Sequence, residues 1–132
     1  MATITDIAKG VVEALAEYGA ELSYNPDFEL RKMTARRVVV VPVAKRLKME
    51  TRADNDLRHT INVAVIHKCR SDADIEPLIA MAETIGAALL RIRVAGETCT
   101  AVEWNPLYGH EEMRDKGQFT SVITATFVEV CR

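Results

Sequence analysis

Two histidines and a cysteine are the residues of this chain best suited to binding a metal or moving a proton. His59, His67 and Cys69 belong to a segment that alternates apolar and polar residues, which is typical of a strand. In an extended chain the two histidines lie about 27 Å apart, so they cannot share a metal ion within one subunit. His67 and Cys69 point to the same face, but two ligands without a third make a weak site. We interpret all three as polar residues near strand ends and predict no metal or cofactor.

Other catalytic patterns are equally weak. Ser121 lies within a predicted strand and lacks the Gly-x-Ser-x-Gly turn of a nucleophilic serine. The carboxylate pairs Glu111–Glu112 and Asp54/Asp56 sit in polar, charged segments, where solvation explains them better than general acid–base catalysis. The sequence also contains no glycine-rich phosphate-binding motif. We therefore predict that the protein is not an enzyme; a shielded pocket with a perturbed acid or base would favour the alternative.

Charge is unevenly distributed along the chain. Net charge is only −2, but residues 31–58 contain nine Lys or Arg against three acidic residues, a net charge of +6, and the remainder carries −8. Such asymmetry indicates an electrostatic contact with nucleic acid or with an acidic protein surface. The basic segment has no aromatic residue for base stacking and the whole chain is acidic, so nucleic-acid binding is the weaker interpretation.

The elements that must position these residues follow from hydrophobic periodicity. Apolar residues at steps of three and four predict helices over 3–19 and 74–93. Alternation predicts strands over 58–69, 96–105 and 118–131, and an apolar run predicts a strand over 36–43 that ends at Pro42. Residues 44–57 are predicted to form a long charged arm.

This order predicts one α+β domain over residues 1–132, with a mainly antiparallel sheet of four or five strands and two helices packed on one face. The chain has the length of one domain, no apolar run long enough to span a membrane and no secretory signal pattern, so we expect it to fold in a cytoplasm. Three widely spaced cysteines without a Cys-x-x-Cys motif are expected to be free thiols.

The second face of the predicted sheet is apolar where solvent would favour polar residues. Val38 to Val41 is apolar on both sides, and the final strand places Thr and Val on the face away from the helices. We expect this surface, or an edge beside it, to be buried against other subunits. The alternative is that residues 20–35 and 106–117 cover it within one chain.

Taken over most of its length, the sequence resembles the tail terminator, or tail completion, proteins of long-tailed bacteriophages. The resemblance is carried by the opening helix ITDIAKGVVEALAEYG, the segments YNPDFEL, VVVVPV and RHTINVAVIHK, the helix DADIEPLIAMAETIGAALL, and the closing EWNPLYGHEEMRDKGQFTSVITATFVEV. Element order and chain length carry it, since the family has no short diagnostic motif.

The resemblance implies a structural virion protein. Such proteins form a ring, typically a homohexamer, at the head-proximal end of the tail; the ring stops polymerisation of the tail tube protein and offers a surface to the head connector. It assembles in the host cytoplasm, and genomic DNA later passes through it without specific binding. No catalytic residue is implied.

Our candidate residues for contacts with other subunits or partners come from the chain itself. They are Val38, Val40, Lys45, Arg46, Lys48, Arg52, Trp104, Tyr108, Glu111 and Glu112. A head-to-tail ring needs two different matching patches, which we place on the basic arm and on an acidic patch that also includes Glu103 and Asp115. Reversing Arg46 and Arg52 to Glu is expected to weaken assembly. Trp104 and Tyr108 are equally compatible with a protein contact and with the core.

Two other functions fit the same sequence. Another head–tail joining or neck protein would leave tails of normal length but without heads when it is missing, whereas a missing terminator would leave overlong tubes. A small nucleic-acid-binding module would show strongly salt-dependent affinity for DNA.

Overall fold

The computed structural model describes residues 3–24, 37–49, 55–68, 72–94, 96–104, 107–108 and 118–129. The chain forms two helices, one 3₁₀ turn and six strands. In chain order they are α1 (Ile4–Ala14), the 3₁₀ turn (Ala16–Tyr18), β1 (Ala20–Leu22), β2 (Arg37–Met49), β3 (Asn55–Lys68), α2 (Asp72–Leu89), β4 (Arg93–Val94), β5 (Glu97–Trp104) and β6 (Gln118–Glu129).

The strands form one sheet in the order β1-β2-β3-β6-β5-β4. Every neighbouring pair is antiparallel except β1 and β2, which run parallel. The predicted α+β class and mainly antiparallel sheet are therefore confirmed. The sheet has six strands rather than four or five because the short strands β1 and β4 extend its two edges. Residues 25–36 lie outside the described residues.

Helix α1 begins at a capping box. The Thr3 side chain accepts a hydrogen bond from the Asp6 backbone N–H, and the Asp6 carboxylate accepts one from the Thr3 backbone N–H. These bonds satisfy amide groups that have no partner inside the helix. The 3₁₀ turn then ends at Gly19, whose φ of 74° favours glycine. The predicted start and stop of this helical segment are both confirmed.

The sheet curls around α1. This helix contacts β1, β2 and β3 near one edge of the sheet and β4 at the other edge, while α2 packs on β5 and β6. Both helices lie on the concave side, as predicted. The core between the layers contains Ile7 and Val11 of α1, Ile85 and Leu89 of α2, and the inward residues of the strands. Within the described residues, no helix has the length and apolar character needed to cross a membrane.

The predicted charged arm is mostly sheet. Strand β2 continues past Pro42 to Met49 and pairs with β3 as far as Asn55, so the prediction of a long loop is wrong for residues 44–49 and 55–57. The strand passes Pro42 through a register shift, which leaves Val43 as an extra, exposed residue. A bulge of this kind lets a strand accommodate a proline that cannot donate a hydrogen bond. Residues 50–54 lie outside the described residues.

The convex side of the sheet is apolar at one end. Val39, Val41, Ala64 and Ile66 form a cluster on this side, and all four are buried in the single chain. The expectation that neighbouring subunits must bury this surface is therefore wrong for these four residues. Farther along, Val122 and Val128 of β6 are half-buried, so the convex side retains only partly accessible apolar surface.

Candidate interaction surfaces

The basic residues of β2 are divided between the two sides of the sheet. Lys45 pairs with His59 on the concave side, whereas Arg46 pairs with Arg58 on the convex side. Lys45, Arg46 and Arg58 are exposed. Lys48 also lies in β2, opposite Asp56. Arg52, Glu111, Glu112 and Asp115 lie outside the described residues, so the proposed match between arm and acidic patch stays a prediction.

Strand register places three arginines in one row across the convex side. Arg46 is opposite Arg58, Arg58 is opposite Val128, Val128 is opposite Thr98, and Thr98 is opposite Arg93. Paired residues of neighbouring strands point to the same side of a sheet. All three arginines are exposed. We call Arg46 and Arg58 the arginine pair. Arg58 belongs to the basic segment 31–58, but its position opposite Arg46 depends on the pairing of β2 beyond Pro42, which the sequence does not reveal.

The two predicted apolar contact residues of β2 face inward. Val38 and Val40 are fully buried and belong to the core cluster that contains Ile7 and Val11 of α1. Their side chains therefore contact the helix of their own chain rather than the surface. This corrects the prediction that they contact a neighbouring subunit; the cause is that α1 occupies the concave side above them.

Trp104 contacts α2, and Tyr108 contacts β6, within the same chain. Trp104 is half-buried, and its Nε1 donates a hydrogen bond to the carbonyl oxygen of Ala82, 3.0 Å away. Its ring lies over Gly86, where an added Cβ would overlap Cζ2 of the indole. The ring of Tyr108 stacks on that of Phe119, with centroids 6.0 Å apart. Of the two interpretations of these aromatic residues, their contacts favour the core.

A histidine and a carboxylate form a buried pair on the concave side. His59 Nδ1 lies 2.6 Å from Glu97 Oε1, and neither side chain is exposed to solvent. Within the described part of the chain, His59 Nε2 and Glu97 Oε2 have no hydrogen-bond partner. An ionised carboxylate only accepts hydrogen bonds, so in that state Nδ1 carries the donated proton. A substrate cannot reach either group in this conformation, and the pair is a structural feature of the core.

The interpretation of His59 as a polar residue at a strand end is therefore wrong. The missed signal is its parity: His59 alternates in phase with Ile61 and Val63, which face the core. Glu97 had no such signal. A register shift between Cys99 and Ala101 disturbs the alternation of β5 that would have placed it.

The remaining chemistry of the described residues is limited. Burial raises the pKa of the Cys99 thiol, which makes it a poor nucleophile at neutral pH. Cys69 and Cys131 lie outside the described residues. Among the residues that the structure covers, no three His, Cys, Asp or Glu side chains are grouped in a way that could hold a metal ion.

Comparisons with known proteins give a similarity in fold but none in sequence. No family model matches the chain, and no curated protein sequence matches it. Among solved structures, the fold is similar to a chain of the virion of a native gene transfer agent particle, with 12% sequence identity and a TM-score of 0.49. The similarity covers 98% of this chain and 96% of the other. At this identity and TM-score, the similarity identifies neither a family nor a function.

Proposed function

We propose that this chain is a non-enzymatic structural protein of a tailed virion, and specifically a tail terminator. Several copies form a ring, a hexamer, on the head-proximal end of the tail tube. The ring ends addition of tube protein and offers a surface to the head connector. Genomic DNA passes through the hole without specific binding.

The order of elements carries the proposal. A capped helix, a long hairpin, a second amphipathic helix and a long final strand follow one another in one domain, in the order in which the sequence resembles the terminator family.

Tail length is the measurement that tests the proposal. Particles assembled without this protein should contain tubes much longer than normal, and adding the wild-type protein should restore the normal length in electron micrographs. In a purified system, the protein should likewise stop the growth of polymerising tube protein. Tails of normal length that lack heads would instead indicate a joining protein. Normal tails with heads attached would overturn both functions.

A further inference from the structure

We propose that the sheets of two copies of this chain join edge to edge, with the outer half of β2 in one copy pairing with the free part of β5 in the next. In this pairing Arg46 of one copy stands opposite Glu103 of the second copy. The inference rests on the proposed function, because a ring needs two different surfaces that match each other. It assigns those surfaces to the two edges of one sheet.

Each edge of the sheet is covered over only part of its length. Strand β1 pairs with β2 from Val38 to Val40, and β4 pairs with β5 only at Glu97 and Thr98. Among the described residues, no strand pairs with the outer side of β2 beyond Val40 or with the outer side of β5 beyond Thr98. Uncovered edges of this kind are templates for pairing with another strand. The residues of these two stretches that are exposed in the whole chain include Ala44, Lys45, Arg46, Thr100, Ala101 and Glu103.

The two edges have the direction that a repeating contact needs. Strands β2, β3, β6 and β5 alternate in direction across the sheet, so β2 and β5 run opposite to each other. A second copy related by rotation alone therefore sets its β5 antiparallel to β2, with the helices of both copies on the same side of the joined sheet. Because the contact uses a different edge of each copy, it repeats from copy to copy as a ring requires.

Side-chain chemistry favours one register for this pairing. Arg46 of the arginine pair lies on the convex side, and Glu103 lies in the row that contains Val41 of the convex cluster, so both point to the same side. Opposite charges directly across two antiparallel strands stabilise the pairing. The same register sets Lys45 opposite Trp104 on the concave side, where the aliphatic stem of the lysine covers the exposed part of the indole ring.

This register also avoids a clash at both ends of the contact. Within one chain Leu22 of β1 and Trp104 of β5 lie in one row across the sheet, and Arg93 of β4 lies in the row of Arg46. Unshifted copies would therefore set β1 against the end of β5, and β4 against β2. Pairing Arg46 with Glu103 shifts the second copy along the strands by about four residues, or roughly 13 Å, which clears both. A stagger between strands is also what closing a sheet into a barrel requires.

Pairing between two identical edges fits less well. Two β2 edges would bring the exposed Lys45 and Arg46 of both copies together, and like charges across neighbouring strands destabilise a sheet. Two β5 edges would form a closed dimer that leaves the edge of β2 unpaired and does not extend to a ring. The combination of β2 with β5 places a basic edge beside an exposed carboxylate.

Charge exchange within one chain tests this contact. Arg46→Glu and Glu103→Arg should each weaken self-association of the purified protein about tenfold in sedimentation velocity at low ionic strength, because like charges then face each other. A chain that carries both changes again sets Arg opposite Glu, so it should associate as the wild type does. That recovery also shows that both substitutions are compatible with folding.

Lys68→Glu is the matched control, since Lys68 is exposed but lies on β3, inside the sheet. It makes the same change in charge as Arg46→Glu and should leave association unchanged, and adding it to Glu103→Arg should not restore association. A wild-type chain that stays monomeric at high concentration and low salt would overturn the proposal. So would Arg46→Glu protein that associates normally, which would indicate a dimer formed through β5 alone.

Hydrogen exchange shows whether the contact is a strand pairing. Backbone amides of residues 44–46 and 101–104 should exchange more slowly in associated protein than in dilute protein, because the new ladder of hydrogen bonds protects them. Association without protection of either edge would show that the copies meet elsewhere.

Tail length separates this inference from the proposed function. If tails lacking the protein are overlong and Arg46→Glu protein restores their length as well as the wild type does, the function stands and the contact is wrong. If charge exchange and amide protection behave as expected but tail length never depends on the protein, the contact stands and the function is wrong.

Discussion

His59 and Glu97 form a buried polar pair. Replacing one of them should lower the free energy of unfolding more than replacing both. His59 Nδ1 and Glu97 Oε1 are hydrogen-bonded to each other at 2.6 Å. The second polar atom of each side chain has no hydrogen-bond partner among the described residues. A buried polar group that loses its partner costs about 1–3 kcal/mol, and more if it is charged. Replacing both partners with apolar residues of similar size is often neutral or stabilising.

We therefore expect Glu97→Leu to lower the free energy of unfolding by about 3 kcal/mol, because it leaves the imidazole buried without a partner. His59→Phe should have a similar effect on the carboxylate. The double variant should lose much less than the sum of the two single variants. Urea unfolding of the four proteins measures this coupling directly.

Glu103→Leu is a suitable control, since Glu103 is exposed on the same strand. Its effect should stay within about 0.5 kcal/mol, as for most surface substitutions. Additive losses in the His59 and Glu97 double variant would show that the two side chains do not stabilise each other in solution.

At the scale of elements, the start of α1 depends on one carboxylate. Hydrogen bonds from the backbone and then the side chain of Thr3 lower the pKa of Asp6 below its ordinary value of 3.8. A carboxyl group with a lowered pKa in the folded state contributes stability above its unfolded pKa. That contribution disappears as the pH falls through the folded pKa.

We expect Asp6→Asn to reduce stability at neutral pH and to remove this part of the acid sensitivity. The wild-type and variant curves of unfolding free energy against pH should therefore converge below about pH 4, near the ordinary pKa of aspartate. Thr3→Ala should cost about 1 kcal/mol at neutral pH because it removes the N-cap side chain. Parallel curves for wild type and Asp6→Asn across the acid range would contradict this account.

Elements with a long, regular hydrophobic period are the ones that the sequence predicts. The helices, the β3 alternation and the long final strand could be predicted because each shows its period over many residues. The outer half of β2 could not, because Lys and Arg replace the valines after Pro42 and Val43 is an extra residue at a register shift. Lys45 interrupts the apolar side of this part of the strand, so the alternation that remains in Arg46 to Met49 is too short to reveal it.

At the scale of the whole molecule, curling of the sheet depends on a close approach between α1 and the far edge. Gly10 of α1 lies against Val94 of β4; a Cβ at Gly10 would overlap Val94 Cγ1 and stand 2.9 Å from Cγ2. The sequence could not show that Gly10 meets a residue 84 positions farther along the chain, at the opposite edge of the sheet. Because β1 and β4 form the two edges of the sheet, the contacts of α1 with both strands bring the edges to the same helix.

Because of this contact, the effect of Gly10→Ala on the free energy of unfolding should depend on which residue occupies position 94. Gly10→Ala alone should lower the free energy of unfolding by about 1 kcal/mol, because overpacking outweighs the gain in helix propensity. In a Val94→Ala background the overlap with Cγ1 and Cγ2 is removed and only the approach to Cβ at 3.1 Å remains, so the same substitution should be neutral or stabilise the protein by up to about 1 kcal/mol. Thermal or urea unfolding of the four proteins measures the reversal. If Gly10→Ala stabilised both backgrounds equally, α1 and β4 would not be in contact in solution, and the sheet would be more open than described.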